Sequence, residues 1–140
     1  STRFDGVICL WQSFGFFDAA TNRRVLADMA GLLNPGGRIV LDLYHREYYL
    51  RRQGVEASSL SGARVYTERR LKGNRLCVRG DYGGGRADDF DWEVYTPREA
   101  LEMAVSCGLA QELACANFDE GTPPAPDKAS FQLVLSSGAR

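Results

Sequence analysis

Two short apolar runs limit what this chain can fold into: Val7, Ile8, Cys9 and Leu10 in "FDGVICL", and Ile39, Val40, Leu41 and Leu43 in "RIVLDL". Neither run alternates polar with apolar, so each suits a strand buried on both faces, as in a parallel sheet. Between them "TNRRVLADMAGLL" sets Val25, Leu26, Met29, Leu32 and Leu33 at helical spacing, with Arg23, Arg24 and Asp28 on the other side. Asn34-Pro35-Gly36-Gly37 is expected to end that helix and turn the chain, since proline cannot continue a helix and glycine tolerates positive φ. Strand, helix, strand with a short turn makes a right-handed crossover unit of an α/β sheet.

Such a sheet also says where a ligand goes. In open parallel sheets ligands bind outside the carboxyl ends of the strands, here Leu10-Trp11-Gln12-Ser13 and Tyr44-His45-Arg46. Downstream the pattern changes. Gly73-Asn74 separates two runs rich in β-branched, aromatic and basic residues, which predicts an antiparallel hairpin. Gly83-Gly84-Gly85 predicts a turn, and "DFDWEVY" a strand returning to the body. Thr96-Pro97-Arg98-Glu99 predicts a helix start, with Thr96 as cap, Pro97 at the first turn and Glu99 at the third position. Cys107-Gly108 closes that helix, and "LAQELACANF" and "FQLVLSS" are expected as two last, antiparallel strands.

Composition excludes several functions. At 140 residues the chain has about one domain's length, and seventeen Lys and Arg against eighteen Asp and Glu leave a net charge of −1. No strong field draws it to nucleic acid or an anionic membrane. Cys9, Cys77, Cys107 and Cys115 form no C-x-x-C pair and only His45 could join them, so no metal site is expected. Cysteines within apolar runs fit a reducing compartment, and neither a signal-peptide pattern nor an apolar stretch of about 18 residues is present. The expectation is a cytoplasmic protein.

"FDGVICLWQSFGFFD", "VLADMAGLLNPGGRIVLDLYHREYY" and "VYTPREALEMAVSCGL" together resemble the carboxyl-terminal half of class I S-adenosylmethionine-dependent methyltransferases. The closest flavour is the small-molecule branch with an antiparallel insertion, which includes amino-sugar N-methyltransferases and enzymes similar to glycine or sarcosine methyltransferases. The resemblance implies an α/β, Rossmann-like half-sheet, with residues 1–55 and 96–140 as a partial core and 56–95 as an antiparallel insertion or lid. It covers nearly all of the chain, but the family's Gly-rich cofactor loop and the acidic residue that holds the ribose are not matched. Gly83 to Gly85 lacks the strand-to-helix context such a loop needs. The implied partner is therefore an N-terminal half of the fold, on the same or another polypeptide, and a chain beginning at Ser1 is expected to be a piece of something longer.

The resemblance also assigns positions. Leu10, Trp11 and Gln12 match the segment that lines S-adenosylmethionine; Trp11 is alternatively a core aromatic. Ser13, Phe14, Gly15, Phe16 and Phe17 match the loop facing substrate, although Phe16 and Phe17 equally suit a hydrophobic staple around Asp18. His45 is the single histidine and a candidate general base, with a helix-capping or surface role as the alternative. Arg46 is a candidate clamp for a substrate carboxylate or phosphate, or a solvated arginine, and Tyr49 follows it on the same helix. Trp92 and Tyr95 enter from the insertion as an aromatic lid or as packing. The implied reaction is methyl transfer to an amine or hydroxyl of a small molecule. A different class stands beside it: a non-catalytic binding module that self-associates through an unpaired strand edge as a homo-oligomer.

Overall fold

A computed structural model of the chain describes residues 2–137. In order, the elements are β1 (Phe4–Cys9), α1 (Ala19–Gly31), β2 (Leu33–Tyr44), α2 (Arg46–Leu50), β3 (Gly54–Leu60), β4 (Ala63–Lys72), β5 (Arg75–Gly83), β6 (Arg86–Glu93), α3 (Pro97–Ser106), β7 (Leu109–Cys115) and β8 (Ser130–Ser137). They form two four-stranded sheets, ordered β1-β2-β8-β7 and β3-β4-β5-β6.

In the first sheet β1 runs parallel to β2, while β8 is antiparallel to both β2 and β7. The register sets Ile39 against Leu135, Leu41 against Leu133 and Leu43 against Phe131. Side chains alternate along a strand, so these six share one face. All six are buried and join Leu26 of α1 and Ala100 and Ala104 of α3 in the main core. Removing side chains of this size from water contributes about 1.5–3 kcal/mol each. The sheet is thus held chiefly through β2 and β8.

The second sheet is a meander of adjacent antiparallel strands. Its buried cluster is small, comprising Tyr49, Leu76 and Val94. Both expected glycine turns lie here, Gly73-Asn74 between β4 and β5 and Gly84-Gly85 between β5 and β6. Helix α3 begins as its sequence predicts. The Thr96 hydroxyl accepts from the Glu99 amide, and Glu99 reaches back to the Thr96 amide. No helix of the described residues is long and apolar enough to cross a membrane.

Two expectations need correction, and one strand was not expected. β1 is not buried on both faces: Ile8 is 69% exposed, because among the described residues only β2 pairs with this strand. Helix α1 ends at Gly31, so Asn34-Pro35-Gly36-Gly37 does not terminate it. Those four residues instead bulge from β2, whose partners jump from Phe4↔Leu33 to Gly6↔Arg38. Gly36 has φ +77°, and a Cβ at Gly37 would stand 2.9 Å from the Asn34 carbonyl oxygen, so the bulge needs its glycines. Strand β3 was absent from the sequence reading because "GVEASSL" is exposed throughout and has no buried face to impose alternation.

Candidate active site

The carboxyl ends of β1, β2 and β7 lie at one end of the sheet, since β8 opposes both its neighbours. After β1 the chain turns sharply, with Trp11 at φ +57° and Gln12 at φ +53°. Two consecutive left-handed residues other than glycine are uncommon and need outside support. Ser13 supplies part of it: its amide and hydroxyl both donate to the Leu10 carbonyl, at 3.2 and 2.7 Å. Asp42 supplies more, its Oδ2 accepting the Trp11 amide at 3.1 Å. The Trp11 ring is 88% exposed, so the core-aromatic alternative for it fails. Leu10 and Gln12 are half-buried beside it.

Beyond Ser13 the loop enters the protein. Phe14 is 3% exposed and packs 6.1 Å from the Tyr95 ring, inside the main core. The burial leaves Phe14 no open surface toward substrate. Gly15 meets the end of β6, where its carbonyl accepts the Glu93 amide at 2.8 Å. Arg75 of β5 donates to the carbonyls of Phe16 and Phe17, at 3.1 and 2.8 Å, while pairing with Asp91 and Glu93. From the helix side buried Asn22 donates to Gly15 and Phe17 and accepts from the Phe17 amide. Asp18 caps α1 through the Thr21 amide, and that bond holds its carboxyl below the usual range. Phe16 and Phe17 are both about half exposed, which a staple would not leave.

An aromatic band runs from this loop across the end of β2. Phe16 lies 5.8 Å from Trp92, Trp92 stacks on Tyr44 at 5.5 Å, and Tyr49 meets Tyr44 edge-on at 5.0 Å. Tyr49 is buried in the second core, and that burial raises its hydroxyl pKa. Two polar atoms here are buried without a hydrogen-bond partner, Trp92 Nε1 and the Tyr95 hydroxyl. Burial pushes the Tyr95 hydroxyl up to about 12; the Asn22 amide lies alongside, yet no bond of ordinary geometry closes between them. Unpartnered donors of this kind are costly and mark places where a ligand can repay the loss.

His45 and Arg46 take structural work instead of open positions. The imidazole is 3% exposed, lies edge-on to Phe131, and caps α2 by accepting the Glu47 amide on Nδ1 at 3.2 Å. Desolvation, opposed by Glu47 and aided by Arg46, lowers its pKa. The Nδ1 lone pair is thus already engaged in the cap of α2. Both outer nitrogens of the Arg46 guanidinium bind Glu99, one at 2.6 Å. That pair raises the Arg46 pKa and lowers that of Glu99. A substrate carboxylate would have to displace Glu99 to reach this arginine.

Sequence reasoning missed Asn22, Asp42, Arg75 and Gln132. The available signal was polarity out of place: Asp42 interrupts "IVLDL", Gln132 interrupts "FQLVL", and Asn22 sits one turn before Leu26 on the apolar face of α1. Among the described residues no group of three His, Cys, Asp or Glu could hold a metal ion.

The fold that carries this site is that of S-adenosylmethionine-dependent methyltransferases. A methyltransferase of that description from Clostridium acetobutylicum superposes with TM-score 0.82 at 11% identity, covering 99% of this chain and 60% of its own. The CcbJ methyltransferase from Streptomyces caelestis gives 0.80 at 17%, covering 98% and 62%. An amino pentose methyltransferase from Micromonospora echinaspora involved in calicheamicin biosynthesis, bound to its S-adenosylmethionine, gives 0.70 at 18%, covering 98% and 59%. The chain therefore spans about three fifths of the length of these structures. No protein-family model and no curated protein sequence matches it.

Proposed function

We propose that this chain forms the carboxyl-terminal part of an S-adenosylmethionine-dependent methyltransferase acting on an amine or hydroxyl of a small molecule, in the cytoplasm. The observation that carries the reading is the left-handed Trp11-Gln12 turn at the carboxyl end of β1, held at its amide by Asp42 and leaving the Trp11 ring in the open. An N-terminal portion of the fold, on the same or another polypeptide, would pair along the free edge of β1 and bring the Gly-rich loop to this turn.

The residues present fit such a cofactor. Leu10, Trp11 and Gln12 offer main-chain groups and an exposed ring at one strand end, and no charged side chain projects from that turn. S-adenosylmethionine supplies an electrophilic methyl group whose positive sulfonium is neutralised as the group transfers. The chain's task is then to align the acceptor and exclude water. Ser13 stands at the mouth of the loop, and Trp92 and Tyr95 bring the two unpartnered polar atoms; the aromatic band of Phe16, Trp92 and Tyr44 supplies a water-poor wall. A proton leaving an acceptor amine passes to solvent, since His45 is spent as a cap. Sugar and glycopeptide N-methyltransferases among the structural neighbours make an amino sugar or a related amine the first acceptor to try.

The open β1 edge favours a second reading, a non-catalytic module that pairs with a second copy there. Titration calorimetry with S-adenosylhomocysteine, on the chain alone and mixed with the polypeptide carrying the upstream strands, separates the two. Binding in the mixture, followed by transfer of labelled methyl to an amine, supports the enzyme. Self-association with no binding in either sample sinks it.

A further inference from the structure

Behind the Trp11 turn lies a buried polar chain that the proposed reaction does not itself require. Asp42 on β2 and Gln132 on β8 face each other across the sheet and are 4% and 2% exposed. Gln132 Nε2 donates to Asp42 Oδ1 at 2.9 Å, and Asp42 Oδ2 accepts the Trp11 amide at 3.1 Å. At the far end Gln132 Oε1 accepts the Phe118 amide at 2.9 Å and, more weakly, the Cys115 thiol at 3.6 Å. The two loops so joined share an unusual backbone. Trp11 and Gln12 have φ of +57° and +53°, Asn117 and Phe118 of +58° and +52°. Each loop also presents a large exposed ring, Trp11 at 88% and Phe118 at 62%.

Counting donors fixes the chemistry of the pair. The chain begins and ends on a backbone N–H, which can only donate. An amide side chain passes polarity along, accepting at one end and donating at the other. A chain that starts and finishes with donors therefore needs one member that accepts on both sides, and Asp42 is that member. We propose that Asp42 and Gln132 are positioning residues, a matched acceptor and relay that lock the Trp11-Gln12 and Asn117-Phe118 turns into one unit and so set the cofactor-side surface from both strands. The assignment to a cofactor rests on the methyltransferase reading; the locking of the turns does not.

The test exploits the count. In D42N two donors must collide somewhere along the chain, and in Q132E two carboxylates face each other. In the double swap D42N/Q132E every link is restored: the amide at position 42 accepts from Trp11 and donates to the carboxylate at position 132, which also accepts from Phe118. Amide hydrogen exchange followed by NMR on the full chain reads this directly. The expected result is exchange at Trp11 or Phe118 at least about tenfold faster in each single variant and near wild type in the double swap. Single variants that leave both amides as protected as in wild type overturn the proposal. So does a folded double swap no better protected than the singles. Should either single variant fail to fold, the double swap decides alone: folded with both amides protected supports the lock, unfolded overturns it. S-adenosylhomocysteine affinity, measured in parallel, is expected to fall in D42N and recover in the swap. Absence of binding by wild type even when mixed with the polypeptide carrying the upstream strands would defeat the methyltransferase reading, while the exchange result still judged the lock.

Discussion

Gly15 and Glu93 meet backbone to backbone: the Glu93 amide donates to the Gly15 carbonyl at 2.8 Å, and a Cβ on Gly15 would lie 2.7 Å from the Glu93 carbonyl oxygen. Gly15 also holds φ +111°, where other residues are strained. At this point the meander is fastened to the aromatic loop of the core. G15A should therefore destabilise the chain by about 2 kcal/mol or more, through both the clash and the backbone strain. Urea unfolding measures this, and a loss under about 0.5 kcal/mol would mean that the two parts are not closely fastened.

The Arg46–Glu99 pair does two jobs through one carboxylate, because Glu99 also closes the capping box of α3. E99A removes the ion pair and the cap together and should cost about 2 kcal/mol. E99Q keeps an acceptor for the Thr96 amide and should cost about half of that. The Glu99 side chain is 38% exposed, so the ion pair itself is placed at only about 1 kcal/mol. Equal losses in the two variants, measured by denaturant unfolding, would show that the cap contributes nothing.

His45 makes stability depend on pH in a window that can be named. Its pKa in the folded chain lies below the ordinary 6.5, chiefly through desolvation. As pH falls through 6.5 the unfolded chain takes a proton before the folded one, so stability drops and levels off only below the folded pKa. Protonation also removes the Nδ1 lone pair that caps α2. Since no other histidine is present, its NMR titration is unambiguous. H45N, which can still cap, should flatten the stability curve between pH 5 and 7. A titration midpoint at or above 6.5 contradicts this account.

The orphaned Tyr95 hydroxyl predicts opposite effects in two assays. Y95F removes a buried group without a partner and should leave the free chain as stable as wild type, or up to about 1 kcal/mol more so. If that hydroxyl serves a bound acceptor, the same variant weakens acceptor binding by about tenfold in the completed enzyme. Thermal unfolding and binding calorimetry read the two halves. Clear destabilisation of the free chain would mean that the hydroxyl already has a partner.

Trp11 and Trp92 differ enough to be read by eye in fluorescence. Trp11 is exposed, whereas the indole nitrogen of Trp92 is buried. W11A should shift the remaining emission to shorter wavelength and change stability by no more than about 0.5 kcal/mol. Added S-adenosylhomocysteine should alter emission in the completed wild-type enzyme and lose that effect in W11A. An emission maximum unchanged by W11A would contradict the exposure.

The crossover unit, both expected glycine turns, the cap of α3 and the final antiparallel pair were legible because each rests on local chemistry: an apolar period, a glycine, or Thr96 and Glu99 three residues apart. The failures are positions where the answer lies elsewhere in the chain. Val7 to Leu10 read as doubly buried since composition cannot tell an edge from an interior strand. Pro35 and the glycines after it read as a helix stop, although a bulge uses the same residues. The cap formed by His45 was one of the readings its position left open, since the Glu47 amide is only two residues on, whereas Arg46 gave no sign of its partner because Glu99, 53 residues away, becomes its neighbour only on folding. Asp42 and Gln132 are ninety residues apart, and nothing near either one announces the other.

That separation also orders events in time. The meander from β3 to β6 is built from adjacent strands joined by short turns, so each pairing closes a small loop. The ladder between β2 and β8 joins positions such as Arg38 and Ser136 and must wait until everything between them exists. Loop closure over such a span makes this the slow step of folding, and on a ribosome the meander can form while β8 is still being made. Of the described strands, the one that completes the core is thus made last, and until it arrives β2 has no partner along that edge.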